Sequence, residues 1–292
     1  MKNPALPLLL ATACTASAAN LMINLRTPDG SNANAGGDVA GADLTLSPAH
    51  AAGAIPGSET TWNNFSATAP SSSLSYADGS AASGVTVTFG SESGSLVDTL
   101  DYTTTATINT TALRGSGGGT PGTTTLLADA GSVYGDGDGP SNTAAGRAGW
   151  FGNASGANDG MGLRVDGLTA GDYTVYLMGR NTNSSSATPM NLFVASASLS
   201  TLFDYSVLTP VLEGNLQVPD TEPTGHNTFR AGDNFVAVHV TVGDGESLYI
   251  ATDGAGSEVR GFLNMVQISA VPEPSVALLA LGGGLLLLRR RR

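Results

Sequence analysis

Three histidines, two tryptophans and one acidic repeat are the residues whose chemistry has to be weighed first. His50 and His226 fall in stretches that read as loop, and His239 falls in the middle of a strand. A histidine works as a base only beside a nucleophile and an orienting group. No Gly-x-Ser-x-Gly elbow, His-Glu-x-x-His pair or cysteine metal set accompanies any of the three. Gly115-Ser116-Gly117 lacks the strand, turn and helix that such an elbow needs. Carboxylates that cleave glycosides are defined by a separation of roughly 5–10 Å in space, which chain spacing does not reveal. These observations favour a protein that is not an enzyme, with a glycan-active enzyme as the distant alternative.

Calcium is the stronger ligand candidate. Gly135-Asp136-Gly137-Asp138-Gly139 sets Asp136 and Asp138 two residues apart among glycines, and hard oxygen ligands on a flexible loop suit Ca²⁺. The EF-hand pattern is not met, because its twelfth position, counted from Asp136, is Arg147 where a bidentate Glu is needed. The plainer reading of both aspartates is a solvated turn. Trp62, in Trp62-Asn63-Asn64, and Trp150, in Trp150-Phe151-Gly152-Asn153, are the candidates for stacking on a sugar ring. With aromatics at 6% of the chain, their plainer role is in the core.

The elements that must position these residues are short and extended. Residues 21–25, 85–89, 161–165, 173–178, 190–197, 235–242, 247–251 and 262–268 read as strands, separated by Gly-, Asn- and Asp-rich turns. In 235–242, Phe235, Ala237, His239 and Thr241 share one face, and four valines share the other. Gly243-Asp244-Gly245 is expected to close a hairpin that pairs 247–251 back onto that strand. Residues 27–57 read as loop, and 91–101 are ambiguous between a strand and a helical turn. The expected fold is all-β, an antiparallel jelly-roll-like β-sandwich over residues 20–270.

Both ends differ from the middle. Residues 1–19 read as a secretory signal peptide forming a signal helix: Lys2, an apolar stretch from 6 to 13, and small residues at a cleavage site. Cys14, the sole cysteine, lies in this leader, so no disulfide forms within the chain. A lipobox ending at Cys14 is the competing reading, with Ala11 where a leucine-like residue is expected. The net charge is −12, and all 24 acidic residues but Glu273 lie between leader and tail. Such a surface repels nucleic acid and anionic lipid.

Residues 271–292 combine Val271-Pro272-Glu273-Pro274-Ser275, an apolar run over 276–288, and Arg289, Arg290, Arg291 and Arg292. Thirteen residues at about 1.5 Å rise give a membrane helix of roughly 20 Å, which snorkelling arginines help to fit to the bilayer. The arginines place that end on the cytoplasmic side. The prolines hold the preceding residues extended at the outer boundary.

In this order, at the very end of the chain, these three parts resemble the PEP-CTERM sorting signal of Gram-negative bacteria. The resemblance implies a recognition motif at Pro272, Glu273 and Pro274, a membrane stop at the four arginines, and processing by an exosortase. It further implies passage through the inner membrane to the cell surface or extracellular matrix, where exopolysaccharide is a possible partner. An ordinary tail anchor is the competing reading.

The order of pieces in 20–270 is also similar to the cargo of PEP-CTERM proteins and to galactose-binding-like carbohydrate-binding modules. It runs from Trp62-Asn63-Asn64 through Gly167-Leu168-Thr169-Ala170-Gly171-Asp172 to Asn264-Met265-Val266-Gln267-Ile268. That resemblance implies a surface-displayed carbohydrate-binding module as the alternative function.

Overall fold

A computed structural model of the chain describes residues 19–26, 47–92, 95–112, 148–152, 159–179, 189–214, 229, 231–232, 235–256 and 259–272. In chain order the elements are β1 (Asn20–Leu25), α1 (Pro48–Ala51), β2 (Asn63–Phe65), β3 (Thr86–Ser91), β4 (Thr99–Asp101), β5 (Ile108–Ala112), β6 (Ala148–Gly152) and β7 (Met161–Asp166). They continue as β8 (Gly171–Met178), β9 (Met190–Ser198), β10 (Leu202–Asp204), β11 (Leu212–Gly214), β12 (Val236–Val242), β13 (Glu246–Gly254), β14 (Phe262–Leu263) and β15 (Met265–Ala270).

Two curled sheets face each other. One has the order β12-β8-β15-β1-β2 and the other β10-β4-β3-β7-β13-β9-β11. A three-stranded sheet, β14-β6-β5, joins them. The expected all-β sandwich is what forms, and its pairing is antiparallel apart from β1 with β2. Alternation explains the layering. Leu21, Ile23 and Leu25 of β1 and Val266 and Ile268 of β15 meet Val87, Phe89, Leu163, Val165, Leu248 and Ile250 of the opposite sheet in one core. Phe65, Phe89 and Trp150 stack edge-to-face within it, with centroids 5.1 and 4.8 Å apart.

Both outer faces are partly covered too. Residues around α1 bury Met22, Tyr176, Met178 and Met265 under Ile55 and Trp62. On the seven-stranded sheet, Leu100, Tyr102, Phe203 and Tyr205 lie over Phe193, Tyr249 and Ala251. Tyr249 is consequently buried on one side of β13 while Leu248 and Ile250 fill the other.

The expected hairpin at Gly243-Asp244-Gly245 does not form. β12 pairs with β8 in the five-stranded sheet, and β13 pairs with β7 and β9 in the seven-stranded one. The turn is an arch between sheets. Its cause is burial: residues 247–252 are buried throughout β13, so that strand takes a central place with partners on both sides. Glu246 braces the arch, accepting from the Gly243 amide at 3.0 Å and from the Ser196 hydroxyl at 2.6 Å. Residues 27–57, expected as loop, include α1, and the ambiguous 91–101 end in β4.

Register sorts the strand ends. Asn20 pairs with Ser269 and Ala270 with Tyr173, so both ends of the sandwich leave beside the short connections from β7 to β8 and from β12 to β13. The ends of β1, β3, β8 and β13 and the starts of β7, β9 and β12 gather at the opposite end, where the longer connections attach.

Gly162 shows how tightly the outer layer seats. A Cβ there would lie 2.0 Å from the Ile250 carbonyl oxygen and 2.7 Å from Leu100. Gly162→Ala is therefore expected to destabilise the fold by about 1–3 kcal/mol, the usual cost of overpacking, read from the urea midpoint. An unchanged midpoint would contradict this packing.

Candidate functional site

The structure first places the candidates. Trp150 is fully buried, and its indole N–H donates to the Arg26 carbonyl at 2.8 Å. Trp62 is 7% exposed and packs under α1. Neither ring presents an open face for stacking on a sugar; both fill core, the plainer of the two roles read from the sequence. Asp136, Asp138, His226, Glu273, Pro274 and Arg289, Arg290, Arg291 and Arg292 lie outside the described residues. Pro272 is exposed.

His50 is held in a chain of polar contacts. Its Nε2 donates to the Glu59 carbonyl at 2.8 Å, which leaves Nδ1 to accept from the Ser47 hydroxyl. Gln267 donates to the Ser47 oxygen at 2.9 Å, and its own oxygen accepts from the Ala49 amide at 3.0 Å. Burial, outweighing the Glu59 contacts, holds His50 below its ordinary range, so it stays neutral. Ser47 is buried and already bonded on both sides. The contact resembles a nucleophile and base on paper, but its work is to tie α1 onto β15. His239 is exposed and lies 3.1 Å from the Thr174 hydroxyl.

The most concentrated chemistry among the described residues is an acidic group at the end of the sandwich where the longer connections attach. Glu92, buried just past β3, accepts from the Tyr205 hydroxyl at 2.7 Å and the Asp98 amide at 2.5 Å. Its second oxygen accepts from the Gly160 amide at 3.2 Å. One carboxylate thus pins three chain segments. Asp253, at the end of β13, stands near it. Burial first, then the charges of Glu92, Asp98 and Asp159, push its carboxyl up to about 6, against the opposing Gly254 amide. Burial likewise raises Tyr205, with Asp253 and Glu92 adding to it, so that hydroxyl stays a donor. No group of three or more His, Cys, Asp or Glu among the described residues is placed to hold a metal ion.

Sequence reasoning missed this group. Glu92 and Asp98 are near neighbours in the chain, but Asp159 and Asp253 are remote from them and join only when β7 pairs with both β3 and β13.

No protein-family model matches the chain, and no curated protein matches it. Among solved structures, a family 35 carbohydrate-binding module from Clostridium thermocellum is similar at 11% identity and TM-score 0.21, over 41% of this chain and 84% of that one. The exo-beta-1,3-galactanase of Phanerochaete chrysosporium, with galactose, is similar at 15% identity and TM-score 0.23, over 56% of this chain and 30% of that one. The CBM22-1-GH10 modules of C. thermocellum xylanase 10B, with xylohexaose, are similar at 15% identity and TM-score 0.23, over 57% of this chain and 25% of that one. Scores this low leave the fold to be read from the chain's own strand order.

The raised Asp253 carboxyl has a stability consequence. Because the folded state holds this proton more tightly than the unfolded chain, the contribution is full below about pH 4 and is lost as pH rises through about 6. Asp253→Asn is expected to stabilise the protein at pH 7 by on the order of 1 kcal/mol, allowing for the site's partial exposure. It should also flatten stability between pH 4 and 6 in urea titrations. A variant with the native slope would show that Asp253 is not the group responsible.

Proposed function

We propose that this is an exported, non-enzymatic protein of the cell surface or extracellular matrix of a Gram-negative bacterium. In this reading the β-sandwich is cargo, and residues 271–292 are a sorting tail handled by an exosortase-type enzyme at the inner membrane. The observation that carries the proposal is the sequence of the tail, in which Pro272, Glu273 and Pro274 are followed by the apolar run and four arginines.

The fold supports it at the junction. β15 ends at Ala270, the Val271 amide still donates to the Asp172 carbonyl at 2.8 Å, and Pro272 is exposed one residue later. A processing enzyme meets the motif without unpicking the last strand. The first strand starts at Asn20, directly after the leader, so leader and tail attach at the same end and can be removed without touching the core.

The non-enzymatic reading is supported by how the candidate groups are employed. Ser47 and His50 tie α1 down, and Glu92 is held by three donors rather than left open to a substrate. Exopolysaccharide is the partner class such a protein meets. With Trp62 and Trp150 buried, contact with it would fall to polar side chains.

Intact mass of the protein from native envelope and medium tests the proposal. Loss of residues 1–19 and of the segment beyond the Pro-Glu-Pro motif is expected. The double variant Pro272→Ala, Glu273→Ala is expected to keep residues 276–292 and stay in the membrane fraction. If that variant is trimmed and delivered like the native protein, the sorting assignment fails.

A further inference from the structure

The free edges of the two sheets are unequal. β2 and β10 are each three residues long, and β10 carries the exposed Asp204. Short, charged edges of this kind resist pairing with another chain. β12 is seven residues long, Val-Ala-Val-His-Val-Thr-Val, with no proline and no carboxylate, lysine or arginine. Among the described residues its strand partner is β8, which leaves its other edge unpaired. Such an edge presents a row of amide and carbonyl groups to any strand that can match it.

The strand matches itself. About His239 its pattern is nearly symmetric, with valine at 236, 238, 240 and 242 and small residues at 237 and 241. Val236 and Val242 are buried, whereas Val238 and Val240, nearest the centre, are only half-buried against the edge of the main core. The core is thus least complete where a twofold axis would pass.

Charge favours the same arrangement. The chain carries −12 overall, which opposes self-association at most surfaces. Asp172 of β8 lies beside Thr241, one strand back from the free edge, and Asp244 is the nearest described acid beyond β12 along the chain. Antiparallel pairing centred on His239 would set the two copies of Asp244 roughly 34 Å apart at about 3.4 Å per residue, well beyond a Debye length. A parallel pairing would set them side by side.

We propose that the protein forms a twofold dimer in which β12 pairs antiparallel with β12 of a second copy. Val238 then lies opposite the partner's Val240, Ala237 opposite the partner's Thr241, and His239 opposite the partner's His239. The five-stranded sheet becomes one ten-stranded sheet, and the two half-buried valines are covered. This inference does not depend on the sorting tail.

The test uses the full chain in a mild detergent that shields residues 276–288. Sedimentation velocity at on the order of tens of micromolar is expected to show a dimer of the 292-residue chain. His239→Lys places two like charges face to face at the axis and should weaken the dimer by about tenfold or more. Diluted until both proteins are monomeric, the variant and the native chain should share a thermal midpoint, because the position is exposed in the single chain. In a Cys14→Ser background, His239→Cys should give a covalent dimer with a short thiol cross-linker. Thr241→Cys, whose copies would lie roughly 13 Å apart, should not. A monomeric native chain overturns the proposal. So does a dimer that survives His239→Lys, or one that cross-links at 241 and not at 239, since each puts the contact elsewhere. Should His239→Lys misfold, the cysteine pair still decides the matter.

Discussion

The pairing of β1 with β15 is the constraint on which the rest of the structure depends. It sets Asn20 against Ser269 and Asn24 against Met265, joining the two extremes of the folded chain. Side chains reinforce it: the Ser269 hydroxyl donates to Asn20 at 2.8 Å, and Gln267 reaches Ser47 and Ala49 to bring α1 onto the sheet. β8 pairs on the other side of β15, so without this strand the five-stranded sheet falls into separate pieces. The burial of Leu21, Ile23, Val266 and Ile268 makes the join expensive to open, at roughly 1.5–3 kcal/mol for each such side chain.

This join gives the molecule a polarity. Both ends of the sandwich leave beside the tight connections, and the acidic group of Glu92 and Asp253 lies at the opposite end, with the longer connections. A module tethered by its C-terminal tail would present that far end outward. The same pairing has the highest sequence separation in the fold, so the sheet closes only after almost all of the chain is available. Late closure is compatible with the proposed export, in which the chain would fold after crossing the membrane.

Much of the fold was legible because alternation is a local signal. Valine at every second position of β12 marked its buried face, and Asn264-Met265-Val266-Gln267-Ile268 marked the last strand. What alternation does not carry is the partner. The Gly243-Asp244-Gly245 turn has hairpin chemistry, yet it became an arch because burial on both faces of β13 outweighed the turn's preference. β2 and β10 are too short for a period-2 pattern to show, and α1 is a single turn between Ser47 and Ala52. The site was less legible than the fold. Trp62 and Trp150 were open between a ligand platform and the plainer core role, because a ring's exposure depends on what folds over it. Glu92 and Asp253 carried no signal as a pair, since Asp159 and Asp253 reach Glu92 and Asp98 only through strand register.

Native-state hydrogen exchange on the full chain tests the central claim, that β1 and β15 close the sandwich as one cooperative unit. Amides of residues 21–25 and 265–269 are expected to exchange only through global unfolding, with the same denaturant dependence as those of β7 and β13. Exchange of β1 and β15 at a distinctly lower free energy, while β7 and β13 stay protected, would contradict it. It would show that the join is an appendage to the fold rather than its closure.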